Sequence, residues 1–385
     1  MVTILLSLVC ATALSFFLIP VVKKVGAQLD IVAKENERTV HHGKIVRIGG
    51  VAIYSAFMIC AAIFLKADTQ INAIMIGGFI IEMMGLIDDI HNLPAKVKLL
   101  FQIIAASVII FYGGISLSAF RLPFFSITFG SILSIIVTYG WIIGITNALN
   151  IIDGLDGLCA GISIISLVTI SMISLTFHRT DICALNLILA GSIGGFLCYN
   201  LYPASIFMGD CGSQFIGFMI SVISLLGFGY KSSLFFTLGA PIVVLAVPIM
   251  DTIIAIIRRK LAHQSFATAD KGHLHHQLMI NLDLGMRNSV FILYGATFLF
   301  SASAYIYLYN RAIAIALFVF LLLVFEIFVE YTKMLSQHYY PILATLNLIL
   351  KSDKLPSFTR GENSIRSLIK KNLQRKQEQK HEEND

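Results

Sequence analysis

Charged side chains are scarce in this chain. Asp, Glu, Lys and Arg make up 13% of its 385 residues, about half the roughly 25% share of soluble domains. Only 8 prolines interrupt it and a single Trp is present, so long stretches run without a helix breaker. The six cysteines (Cys10, Cys60, Cys159, Cys183, Cys198 and Cys211) form no CxxC pair. Most lie inside apolar stretches and read as small hydrophobes, which excludes a disulfide scaffold and a thiolate zinc site. No basic residue precedes the first apolar run, 2–22; Lys23 and Lys24 follow it. That order is the reverse of a secretory signal and predicts a retained first helix with its N-terminus outside. No internal repeat is visible, which argues against a transporter built from inverted halves.

What remains is hydrophobic residues, 57% of the chain. Runs long enough to cross a bilayer fall at 2–22, 48–65, 71–87, 97–113, 129–147, 158–177, 182–201, 212–230, 234–257, 290–308 and 311–332. The expected fold is an all-α polytopic membrane protein of about eleven spans, its N-terminus outside and its C-terminus cytoplasmic. The connections 23–47, 88–98, 148–157, 202–211 and 258–289, with the tail 333–385, carry 23 of the 28 Lys and Arg. The positive-inside rule makes that set cytoplasmic. Residues 1–332 are then the membrane domain. Residues 333–385 are a basic cytoplasmic tail, suited to anionic lipid and partly disordered in its last residues.

The acidic residues are placed with unusual regularity. Asp88 and Asp89 (GLIDDIHNL), Asp153 and Asp156 (NALNIIDGLDGL) and Asp210 (FMGDCGS) all lie at the ends of apolar runs, on one side. An acid at mid-bilayer costs roughly 2.5–3.5 kcal/mol on insertion scales, so five acids at one face point to work on a charged partner. A cation-coupled transporter would instead set them deep within the spans. Adjacent Asp88 and Asp89 repel unless a cation lies near them, and Lys98 opens the next run. Asn147, Asn150, Asp153 and Asp156 recur every third residue, which on a continuous helix makes one polar stripe. Asp210 suits either a helix cap or Mg²⁺. His273, His275 and His276 suit zinc by type, although no Cys lies near and their spacing is poor for one helical face; donation to a diphosphate fits as well, a solvated loop is the lesser alternative, and Arg258 and Arg259 add positive charge nearby. The basic turn from Arg38 to Gly50, with His41, His42, Lys44 and Arg47, fits phosphates, lipid headgroups or a simple anchor. Among acids within the runs, Asp251 is placed to orient an active-site loop, whereas Glu326 and Glu330 read as structural or interfacial.

In chain order these motifs read GLIDD, NxxNxxDGxDGL, MGDxGS, PxxDTxxxxxRR and ADxxHxHH. Together they resemble the polyprenyl-phosphate N-acetylhexosamine-1-phosphate transferase superfamily over about residues 38–280. Val46 stands where the family pattern has proline, and Lys271 where arginine is common. The HLHH form and eleven spans are similar to the GlcNAc-1-phosphate branch rather than the MurNAc-pentapeptide branch. The resemblance implies transfer of a sugar-1-phosphate from a UDP-N-acetylhexosamine to undecaprenyl phosphate at the bacterial inner membrane. The product would begin a lipopolysaccharide or teichoic acid type of polymer; no nucleic acid partner is implied. It further implies Mg²⁺, with Mn²⁺ as a substitute, on Asp210 with Asn150 assisting. Asp88 would orient or deprotonate the lipid phosphate, with Asp89 in support. Lys98, Asn147, Arg258, Arg259, His273, His275 and His276 would contact substrate, and Asp153 and Asp156 would organise the nucleotide end or the metal shell.

Overall fold

The computed structural model describes residues 2–33, 45–117, 119–122, 125–228, 239–261, 272–335, 339 and 341–343. Arg38, His41, His42, Lys44, Asp270, Lys271 and the basic tail beyond residue 343 lie outside the described residues.

The apolar runs become helices α1 (Val2–Gln28), α2 (Gly50–Phe64), α3 (Thr69–His91), α4 (Ala95–Ser107) and α5 (Ser131–Ile152). They continue with α6 (Leu158–Thr176), α7 (Thr180–Asn200), α8 (Gly209–Phe228), α9 (Gly239–Val244) and α10 (Ala246–Leu261). A short α11 (Leu274–Ile280) precedes α12 (Gly285–Ile306) and α13 (Arg311–Tyr331). α4 runs on through a wider π-helical turn, Val108–Tyr112. The architecture is therefore helical, as expected, with one small addition. Strands β1 (Ala119–Leu122) and β2 (Phe125–Thr128) form an antiparallel hairpin, Ala119 opposite Thr128, in the connection between α4 and α5.

Each predicted run falls on helix within the described residues. Nine helices there are long and apolar enough to cross a membrane. α2 has 15 residues, which at 1.5 Å per residue gives about 22 Å against a hydrocarbon core of about 30 Å. The ninth run breaks at Leu245 into α9 and α10.

α8 is the central helix, enclosed by α2, α3, α5, α6 and α7, while α13 and α1 lie at the rim. α1 packs along α7 where Gly191 and Gly195 share one face; a Cβ on either would strike the α1 backbone at Leu8 or Thr12. Lipid supplies no hydrophobic drive between helices, so small residues four apart allow the contact that dispersion needs. Alternation of helix direction brings the C-terminal ends of α3, α5, α7 and α10 to the same end of the bundle as the N-terminal ends of α4, α6, α8 and α12. The motif residues that are described lie toward that end.

Candidate active site

α3 ends in Asp88 and Asp89, and successive helical residues point about 100° apart. The two carboxylates therefore serve different neighbours. Asn92 takes a left-handed conformation (φ 50°) as the α3 C-cap, and Pro94 starts α4 immediately afterwards. This tight turn lets Asp88 Oδ1 accept the Leu93 N–H at 2.6 Å. It also brings Lys98 back, with its Nζ 2.5 Å from Asp88 Oδ2 and 2.7 Å from Asp210 Oδ2. One ammonium thus bridges two carboxylates from separate motifs.

Asp89 faces α8. Its Oδ1 accepts the Asp210 N–H and its Oδ2 the Cys211 N–H, each at 3.0 Å. Arg47 adds Nε at 3.1 Å and Nη2 at 2.9 Å to Oδ1. Asp89 is thus the N-terminal cap of α8, supplied from another helix, and it favours the positive end of the helix dipole. It sets Asp210 in place rather than facing a ligand alone. Asp89→Ala strands the buried Cys211 N–H, the part-buried Asp210 N–H and a partly exposed guanidinium, a loss of about 3 kcal/mol, the lower end for breaking a buried pair. The thermal midpoint of the purified protein is expected to fall accordingly; an unchanged midpoint would remove the capping role.

The NxxNxxDGxDG segment does not form the single stripe expected of a continuous helix. α5 stops at Ile152, and only Asn147 and Asn150 lie on it. Asp153 is its C-cap, Gly154 follows, and Gly157 turns the chain with φ +75° into α6; glycine is the residue that adopts this without strain. Asn147 donates to Gln102 Oε1 at 3.0 Å and to the Ile143 carbonyl at 2.8 Å. Gln102 in turn donates to Gln214 Oε1 at 3.0 Å. Asn150 accepts the Ser213 hydroxyl at 2.5 Å, which ties α5 to the first turn of α8. Asp156 is buried and accepts the Ala204 N–H at 2.8 Å, so it braces the loop that leads to Asp210. Tyr294 of α12 donates to the Gly157 carbonyl at 2.5 Å, and Asn200 accepts the Gly157 N–H at 3.0 Å.

The histidines form a compact stack. His273 and His275 rings lie parallel with centroids 5.9 Å apart, and His276 lies 4.3 Å from His275. His273 Nδ1 bonds Asp251 Oδ2 at 3.0 Å. His275 sits against Gly154, where an added Cβ would strike its ring, and its buried Nδ1 has no hydrogen-bond partner among the described residues. Burial, reinforced by His276, pushes His275 down to about 3, so it is a neutral imidazole near pH 7. Among the described residues no three His, Cys, Asp or Glu side chains are arranged to hold a metal by themselves. Arg258 donates to the carbonyls of Gly272 at 2.9 Å and Met334 at 3.0 Å. It thereby fastens the histidine loop, with half-buried Arg259 beside it. Glu330 accepts the Ile342 and Leu343 N–H groups at 2.8 and 2.7 Å, the structural role expected of it.

Asp89, Asn150, Asp153, Asp156 and Asp210 line one cavity of about 550 Å³, walled on the other side by Leu29–Ala33 and Arg47. Desolvation pushes Asp153 up to about 8, and the charges of Asp210, Asp89 and Asp156 add to it. Acids outnumber cations on this wall, where Arg47 stands against Asp30, Asp89, Asp153, Asp156 and Asp210. Asp88, Lys98, Asn147 and the histidines are not part of the cavity wall; Lys98 reaches it through Asp210, and His275 through Gly154. Arg47, Gln102, Ser213, Gln214, Asn200 and Tyr294 complete the arrangement. Arg47 and Gln102 stand beside motifs already picked out. Asn200 and Tyr294 carry a weaker signal, one polar group each at the end or on the face of an apolar run.

Five acids with Lys98 and Arg47, gathered at one end of an apolar helical bundle, define a membrane protein with a charged site at one face. Residues 71–228 match the family model described as glycosyl transferase family 4. The chain is 39% identical over 356 residues to a "Probable undecaprenyl-phosphate N-acetylglucosaminyl 1-phosphate transferase" of Bacillus subtilis (strain 168), covering 91% of this chain and 98% of that one. It is 34% identical over 318 residues to a "Decaprenyl-phosphate N-acetylglucosaminephosphotransferase" of Mycobacterium tuberculosis (strain ATCC 25618 / H37Rv), covering 74% and 77%. A "Phospho-N-acetylmuramoyl-pentapeptide-transferase" of Clostridium acetobutylicum is 34% identical over 191 residues, 46% of this chain and 60% of that one. The chain belongs to the polyprenyl-phosphate N-acetylhexosamine-1-phosphate transferase family.

Proposed function

We propose that this member transfers GlcNAc-1-phosphate from UDP-GlcNAc to undecaprenyl phosphate, with release of UMP. An oxygen of the lipid phosphate bonds to the β-phosphorus of the donor, and the bond from that phosphorus to the bridging oxygen breaks. UMP leaves with the bridging oxygen. The observation that carries the reading is the joint held by Lys98, where Asp88 and Asp210 meet at the edge of an acidic cavity. The Bacillus relative, alike over nearly the whole chain, supports the choice of sugar and lipid.

Two phosphorylated substrates in an acid-lined cavity repel the protein and each other, so a cation is needed. The residues fit Mg²⁺, which takes one or two carboxylates and completes its shell with substrate phosphates and water. Lys98 Nζ already stands where positive charge is wanted, between Asp88 and Asp210. Asp210 would hold the ion, with Asn150, across the Ser213 hydroxyl, assisting. When bound, the ion supplies charge neutralisation to the diphosphate and the leaving UMP. The protein's own part is positioning and charge stabilisation. Asp88 orients the lipid phosphate while Asp89 holds Asp210. Asp153 and Asp156 shape the nucleotide-sugar end, and the histidines bound it near Gly154. The charge bias of the connections supports a cytoplasmic site in the inner membrane, where soluble UDP-sugars meet a headgroup-level phosphate.

The test is UMP release by purified protein given undecaprenyl phosphate, Mg²⁺ and a panel of UDP-sugars. UDP-GlcNAc is expected to be the best donor, and EDTA to stop the reaction. A higher kcat/KM with a 6-deoxy N-acetylhexosamine or MurNAc-pentapeptide donor would replace the sugar. Turnover that survives full chelation would remove the metal.

A further inference from the structure

Asp251 lies on α10, wholly buried, away from the cavity wall, and both of its oxygens are engaged. Oδ1 accepts the Leu274 N–H at 2.9 Å, and Oδ2 takes His273 Nδ1 at 3.0 Å. Leu274 is the first residue of α11, and the cap residue His273 makes no side-chain cap of its own. Asp251 therefore anchors the start of the histidine loop and sets one ring within it. A carboxylate only accepts, so the shared proton belongs to His273 Nδ1. The hydrogen bond at one imidazole nitrogen decides what the other can offer. His273 then stacks on His275, which rests on the backbone at Gly154 beside Asp153. A continuous line of contacts joins the inside of α10 to the cavity.

We infer that Asp251 is a positioning residue for the transfer reaction, acting through His273 by holding the proton on Nδ1, leaving Nε2 bare, and fixing the ring against His275 at the Gly154 edge of the cavity. The inference rests on the proposed function for its kinetic arm alone. Asp251→Asn separates this role from simple capping. The amide oxygen still accepts from Leu274, but the amide NH₂ now donates to Nδ1 and drives the proton to Nε2.

Histidine-¹⁵N-labelled full-length protein in lipid nanodiscs reads the tautomer directly, with the His273 signal assigned by its loss in His273→Gln. Nδ1 is expected to be protonated in the parent protein and bare in Asp251→Asn. kcat for UMP release is expected to fall on the order of 10- to 100-fold, as for other groups that orient a functional histidine. Asp251→Glu should restore part of it. In a His273→Gln background, Asp251→Asn should change kcat no further, because both substitutions remove one device. A proton that stays on Nδ1 in Asp251→Asn, or losses that multiply in the double variant, would overturn the inference. A parent protein that releases no UMP from any donor would overturn the proposed function instead, and the ¹⁵N spectra then decide the Asp251–His273 link without turnover.

Discussion

Asp210→Asn is expected to lower kcat for UMP release by about 10³-fold, the upper range for removing one preorganised stabilising group from a reacting centre. The substitution keeps the shape of the side chain and one oxygen. The Asp210 backbone N–H still bonds Asp89, so the α8 cap persists, and the protein should remain folded with a near-normal thermal midpoint. What disappears is half of the negative charge opposite Lys98, and with it the carboxylate best placed to hold a divalent ion at the cavity. The Mg²⁺ concentration for half-maximal rate should rise along with the loss of kcat. Turnover within a few-fold of the parent protein would remove Asp210 from the reacting centre. A collapsed midpoint would show a structural residue instead.

Lys98→Met should have the second-largest effect, and in two readouts. The ammonium separates Asp88 from Asp210 at 2.5 and 2.7 Å. Asp88 is 2% exposed, so its charge has little recourse to water. Removing one partner of a buried pair leaves the other uncompensated, at about 3–5 kcal/mol. Because Lys98 is itself partly exposed, the lower end is expected, read as a fall in thermal midpoint. Mg²⁺ should recover part of that fall, since an ion that binds only the folded state stabilises it by mass action. Loss of the cation near the diphosphate should also cut kcat by about 10²-fold. An unaltered midpoint, or no response to Mg²⁺, would show that the two acids need no shared cation.

These expectations draw unequally on sequence and structure. Apolar length alone predicts the spans, since a bilayer admits only helices that satisfy their own backbone or closed barrels. It fails where other physics enters: the hairpin at 119–128 lies between spans, and α2 falls short of a full crossing. The five acids are legible because charge is scarce in an apolar chain and these five recur at the ends of runs on one side. Their division of labour is not. Asp88 and Asp89 are neighbours in sequence, yet one binds Lys98 and the other caps α8, a difference set by helix rotation and by residues more than a hundred positions away. The three-residue rhythm of Asn147, Asn150, Asp153 and Asp156 suggests one stripe, but Gly154 and Gly157 end the helix inside it. Arg258 reads as a substrate cation, and nothing in the sequence announces its bonds to the carbonyls of Gly272 and Met334. Tyr294 is nearly silent in sequence, because its role depends on a close approach to Gly157 that only the fold creates.

The pairing of α1 with α7 through Gly191 and Gly195 bears on biogenesis. α1 is synthesised before α7, and the face it must cover is made six helices later. Until then its Ser7, Ala11 and Ser15 side, buried in the finished protein, stays open to lipid or to an insertion factor. The cavity wall at Leu29–Ala33 likewise waits for α8, and the Gly157 turn waits for Tyr294 on α12. A ribosome-bound chain cut short before α12 would thus hold all five acids in the membrane without the finished turn beside them. Competence for catalysis should arrive late in translation, and as a single step.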